Sequence, residues 1–124
     1  MNFVGTAGLV LAVASVAMAA PALAHPKLLS STPSADATAG NIKEISLKFS
    51  EALMGPVSGA DLMMDIQGTA PMKMAGLKTS VGKDGKTFVA TLDKPLSAGH
   101  YSLNWHVVST DTHRVAGKLA FTVK

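Results

Sequence analysis

Tyr101-Ser102-Leu103-Asn104-Trp105-His106-Val107 alternates large apolar side chains with polar ones. Successive side chains of a strand point to opposite faces, so this stretch reads as a strand with one face in a core and one in water. Its aromatic and β-branched content favours a pleated surface. The same alternation recurs on either side. Ile45, Leu47 and Phe49 are split by Ser46 and Lys48; Phe88, Ala90 and Leu92 oppose Val89 and Thr91; Leu119, Phe121 and Val123 are split by Ala120 and Thr122. Weaker candidates are Lys27–Ser30, Ala60–Ile66 and Gly76–Val81, for about seven short strands in all. Lys83-Asp84-Gly85-Lys86 reads as a hairpin turn, because Asp-Gly tolerates positive φ. No segment after residue 24 carries a 3.6-residue apolar period. The expected fold is all-β: a small antiparallel Greek-key barrel or sandwich of immunoglobulin-like proportions.

The start of the chain is of another kind. Eighteen of the first 24 residues are hydrophobic and none is charged, so all 11 Lys+Arg and all 8 Asp+Glu follow. An uncharged apolar run from Ala7 to Ala20, then Pro21 and Ala22-Leu23-Ala24, is the pattern of a secretory signal cleaved after Ala24. The alternative is an uncleaved anchor, since roughly 20 apolar residues can span a bilayer. The expected organisation is therefore a signal peptide over 1–24 and one domain over 25–124. Export without cysteine points to a bacterial periplasm. The absence of cysteine also excludes a disulfide framework, thiolate zinc sites and cysteine-held iron–sulfur clusters. A net charge of +3 without a basic run gives no footprint for nucleic acid. A domain of about 100 residues closes one core but leaves little room for a large catalytic cleft.

Candidate chemistry lies at both ends of the domain. Cleavage after Ala24 makes His25 the N-terminus, where α-amine and imidazole Nδ1 together close a six-membered chelate ring on a metal. Pro26 has no amide N–H, so the next backbone nitrogen is unavailable. In Asp111-Thr112-His113 an extended chain would point the carboxylate and the imidazole the same way. Each feature alone is commonly a polar chain end or a turn. Together they offer three nitrogens and an oxygen, a set that suits Cu(II). Met54, Met63, Met64, Met72 and Met74 put five of the seven methionines within 21 residues. Thioethers select Cu(I), although methionine also fills gaps in small cores. Glu51 reads either as an additional oxygen near the metal or as a solvated strand end.

His25-Pro26-Lys27-Leu28-Leu29-Ser30-Ser31-Thr32-Pro33, Phe49-Ser50-Glu51 and Ser109-Thr110-Asp111-Thr112-His113 after Trp105 resemble, in order, the CopC family of periplasmic copper-resistance proteins. The resemblance covers essentially all of 25–124. It implies a Greek-key β-barrel that binds Cu(II) through His25, Asp111 and His113, with Glu51 where some members have a glutamate near the copper. It implies copper carriage, homeostasis and resistance, beside a CopD-like inner-membrane protein. Some members also bind Cu(I) in a methionine-rich loop containing a histidine. Here Met64, Met72 and Met74 are the candidates, and Met54 to Gly76 contains no histidine.

The expectation is a monomeric copper-binding module and not an enzyme. One alternative is a copper-dependent oxidative enzyme with an N-terminal histidine chelate, which would need an open coordination position and a broad substrate surface. Another is a structural β-sandwich that binds no metal.

Overall fold

The computed structural model describes residues 25–124. The expected signal peptide, 1–24, lies outside the described residues. Nine strands follow in order: β1 Leu28–Thr32, β2 Thr38–Ala39, β3 Glu44–Phe49, β4 Gly59–Asp65, β5 Met72–Lys73, β6 Lys78–Val81, β7 Thr87–Thr91, β8 Gly99–Val108 and β9 Arg114–Val123. One 3-10 turn, Gly55–Val57, interrupts them, and the described residues contain no α-helix. β2 and β5 have two residues each, too short to show a period; the other seven match the expected strands.

Two sheets form, in the orders β1-β3-β7-β6 and β2-β9-β8-β4-β5. The architecture is thus a sandwich; no strand pairing among the described residues closes it into a barrel. Pairing is antiparallel except for β2 alongside β9. The alternating apolar residues meet between the sheets. Ile45, Leu47, Phe49, Leu62, Leu103 and Val107 are completely buried, with Phe88, Tyr101, Leu119 and Phe121 nearly so. Phe49 and Trp105 pack edge to face, with ring centroids 5.2 Å apart. The indole lies over Gly117, where a Cβ would come within 2.4 Å of the Trp105 ring. That position accepts no side chain while the indole holds its place.

At one end the sheets are stitched together by the segment that leaves β3. Leu53 forms an isolated bridge with Ser109, beyond the end of β8. The Thr110 amide donates to Ala52 O at 2.9 Å and the Met54 amide to Val108 O at 2.8 Å. The β6–β7 hairpin closes on the same segment, with Leu53 N donating to Gly85 O at 2.8 Å. Gly85 supplies the positive φ, +72°, that the Asp-Gly pair predicts. Asp84 accepts the amides of Lys86 and Thr87 at 2.9 Å and the Thr87 hydroxyl at 2.6 Å. The Thr87 hydroxyl, foremost, holds the Asp84 carboxyl below its ordinary range.

Candidate metal centre

The stitched end carries the candidate donors. His25 precedes β1, and His113 follows the turn beyond β8. Their rings lie 4.8 Å apart, centroid to centroid, and nearly perpendicular at 85°. Residues from opposite ends of the domain therefore share one small volume. The buried ring of Pro26 seats the arm that carries His25. Ser50 then holds Lys27 twice: the Lys27 amide donates to Ser50 Oγ and the Ser50 amide to Lys27 O, each at 2.9 Å.

Asp111-Thr112-His113 is not extended, contrary to the strand alternation assumed for it. Thr110 to Thr112 forms a tight turn in which Thr112 adopts φ +74°. That left-handed conformation is uncommon for a β-branched residue. The reversal is closed by Thr112 N donating to Ser109 O at 2.8 Å and Ser109 N to His113 O at 2.9 Å. Asp111 and His113 thus come together by reversal of the chain rather than by a shared strand face.

Ser109, only 1% exposed, orders this turn. Its hydroxyl donates to Asp111 Oδ1, which also lies 3.4 Å from the His113 amide. The hydroxyl, foremost, holds the Asp111 carboxyl below its ordinary range; partial burial opposes it, and His113 adds to the lowering. The other oxygen, Oδ2, lies 3.1 Å from His113 Nδ1. This contact has the distance of a hydrogen bond but not its alignment, and Nδ1 is left buried without a hydrogen-bond partner.

A buried nitrogen beside a carboxylate oxygen fits a cation between them. Two donors each about 2.0 Å from one metal, at right angles, stand about 2.8 Å apart. Two imidazoles and a carboxylate, without thiolate, suit Cu(II). No group of three or more His, Asp or Glu side chains among the described residues is tight enough to enclose a metal by itself. Asp111 and His113 lie together, with His25 adjacent.

Glu51 is half-buried on the segment between Ser50 and Ala52. His106 lies on the outer sheet face over Gly59, where a Cβ would meet its ring at 2.9 Å, and His100 Nδ1 engages Thr122 Oγ1 at 2.8 Å.

Of the clustered methionines, Met54 lies on the stitching segment, and Met63, Met64, Met72 and Met74 are at the far end. Met64 pairs with Met72 across β4 and β5, and Met74 follows on the same side. Met64 and Met74 pack against the core, and Met72 is 48% exposed. From Tyr101, opposite Met64, to Ser109 the chain runs about 26 Å at the usual rise of a strand. The two open clefts, about 520 and 420 Å³, are also away from His25 and His113; Met74 lines the smaller. Neither enlarges the donor cluster.

The sequence matches the CopC domain over residues 28–124. The chain belongs to the CopC family. Copper resistance protein C of Xanthomonas campestris pv. juglandis is 46% identical over 118 residues, covering 93% of this chain and 92% of that protein. Copper resistance protein C of Escherichia coli is 42% identical over 123 residues, covering 96% and 93%. The crystal structure of PcoC, a methionine-rich copper resistance protein from Escherichia coli, superposes with a TM-score of 0.75 at 43% identity, covering 82% of this chain and all of that one (100%). This CopC chain is therefore a copper-resistance type β-sandwich, and copper is the ion its family implies. Sequence reading missed the serines: Ser50 and Ser109, and Ser58, whose hydroxyl donates to Met54 O at 2.8 Å and accepts the Val108 amide at 3.0 Å. Ser50 and Ser109 lie in the motif stretches, but the sequence gives them no role of their own.

Proposed function

We propose that the chain is exported to a bacterial periplasm, cleaved after Ala24, and binds Cu(II) through the His25 amine and imidazole, Asp111 and His113. The observation that carries this reading is the 4.8 Å approach of His25 to His113, whose buried Nδ1 has no hydrogen-bond partner. Cleavage supplies a further donor, because it converts the His25 amide into a free amine. Ser109 holds one oxygen of Asp111 and leaves Oδ2 facing His113. Glu51, on the stitching segment, is an additional oxygen for the same ion.

Copper is cargo, and the chain acts as carrier and buffer rather than as an enzyme. All five aromatic side chains of residues 25–124 — Phe49, Phe88, Tyr101, Trp105 and Phe121 — are buried. None offers a stacking face to a polysaccharide, which disfavours the oxidative-enzyme alternative. Delivery to a CopD-like inner-membrane protein, and action as a monomer, belong to the same proposal. Met64, Met72 and Met74 form a separate, soft site for Cu(I) at the other end.

The test is electron paramagnetic resonance of residues 25–124 loaded with one equivalent of Cu(II). His113→Ala should lose one equatorial nitrogen and weaken binding by orders of magnitude. An unchanged three-nitrogen spectrum in that variant would reject the ligand assignment.

A further inference from the structure

Besides the buried ring of Pro26, the arm that carries His25 has few means of holding its place. β1 begins at Leu28, paired with Phe49, and its register slips by a bulge before Ser30. On the N-terminal side of Leu28, Pro26 has no N–H to donate. Lys27 therefore carries the last paired backbone donor and acceptor before His25. Its carbonyl is held by a backbone amide, that of Ser50, a bond available to any residue but proline there. Its amide is held by the Ser50 hydroxyl at 2.9 Å, which depends on the side chain. Two residues further, Ala52 O accepts the amide of Thr110, in the turn that carries Asp111. One short segment, Ser50 to Ala52, thus holds both halves of the donor set, the N-terminal half partly through a hydroxyl.

We propose that Ser50 is a positioning residue: by accepting the Lys27 amide it fixes the arm so that His25 meets His113. This inference rests on the copper reading given above. A ligand on a loose chain end must be ordered when the metal binds, and that ordering opposes binding. With the arm held in advance, the ordering is already done. The contact is exposed, so water replaces the hydroxyl if it is lost, and the core is untouched.

Residues 25–124 contain every described strand and the core that those strands form, so this segment is the one to test. Three chains are compared: wild type, Ser50→Ala and Ser50→Thr. In the metal-free protein, Ser50→Ala should speed hydrogen exchange at the Lys27 amide while leaving the denaturant midpoint in place. Its Cu(II) affinity, by competition with a chelator, should fall about two- to tenfold, the range of one ordinary hydrogen bond. The copper dissociation rate should rise to match, and Ser50→Thr, which keeps the hydroxyl, should restore both. Unchanged exchange at Lys27, or unchanged affinity and dissociation rate in Ser50→Ala, overturns the proposal. So does a lowered midpoint that Ser50→Thr does not restore, which would make Ser50 a general stability residue. Failure of the copper reading itself shows differently, as a wild-type Cu(II) signal that does not depend on His113.

Discussion

A single residue added in front of His25 tests the donor set most directly. A chain beginning Met-His25 has an amide where a chain beginning at His25 has a basic amine. The structure confines the damage to that group. Pro26 remains buried and Lys27 remains tied to Ser50, so nothing displaces the His25 ring from its place 4.8 Å from His113. One of four donors is lost, and one chelate ring opens. Disturbing only the hydrogen bonds behind a metal ligand costs about 10- to 100-fold in affinity. Loss of a direct donor should cost at least the upper figure, on the order of 100-fold, or about 2.7 kcal/mol.

Acidity supplies a second signature. A free α-amine titrates at about 7.7–8.0, so below that range the metal must displace its proton. Affinity of the chain starting at His25 then falls by up to about tenfold per pH unit from this group alone. The extended chain has no such proton to displace. A gap on the order of 100-fold near pH 8 should therefore have nearly closed at about pH 6. Trp105 is the sole tryptophan, so quenching of its fluorescence by Cu(II) follows both titrations against one competing chelator. Equal affinities near pH 8, with the extra Met confirmed by mass, would refute the amine as a ligand. A gap that persists unchanged in acid would refute the proton argument.

Two further outcomes follow from the geometry. Ser109→Ala should raise the Asp111 pKa, because the Ser109 hydroxyl is the main cause of its depression. A carboxyl depressed on folding stabilises the fold above its unfolded value and loses that contribution as pH falls through the folded one. The stability deficit of Ser109→Ala in chemical denaturation should thus be full at neutral pH and shrink as pH falls below the ordinary aspartate value of about 3.9; a deficit independent of pH would remove Asp111 from the explanation. Met72→Leu with Met74→Leu preserves volume, so stability should change by less than about 1.5 kcal/mol while Cu(I) affinity falls; unchanged Cu(I) affinity would reassign both thioethers to packing.

How much of the molecule could be read from the chain depends on how local the cause is. Alternation in Tyr101–Val107, Ile45–Phe49 and Leu119–Val123 survives in the fold because burial on one face acts on each strand separately. β1 was a weaker signal for the same reason: it is an edge strand, and most of its residues are exposed. Sandwich against barrel was not decidable from period, since closure depends on which edges pair across the molecule. The D-T-H motif was recognised, but its conformation was not. The extended reading failed because Thr112 is driven to a positive φ by Ser109 bonds that close the turn around it.

Sequence alone determined the donor types: a histidine before a proline, an Asp and a His two apart, methionines and no cysteine. Those are covalent facts; copper as the ion is what the family implies. Only the tertiary structure decided that His25 and His113 meet, and that Met64 and Met72 lie at the opposite end of β4 and β8. Proximity between distant residues comes from the registers of β1 on β3 and β8 on β9, together with the stitch of Leu53 to Ser109. The serines illustrate the same division. A hydroxyl becomes a positioning group only through what stands across from it, and that partner is supplied by the fold.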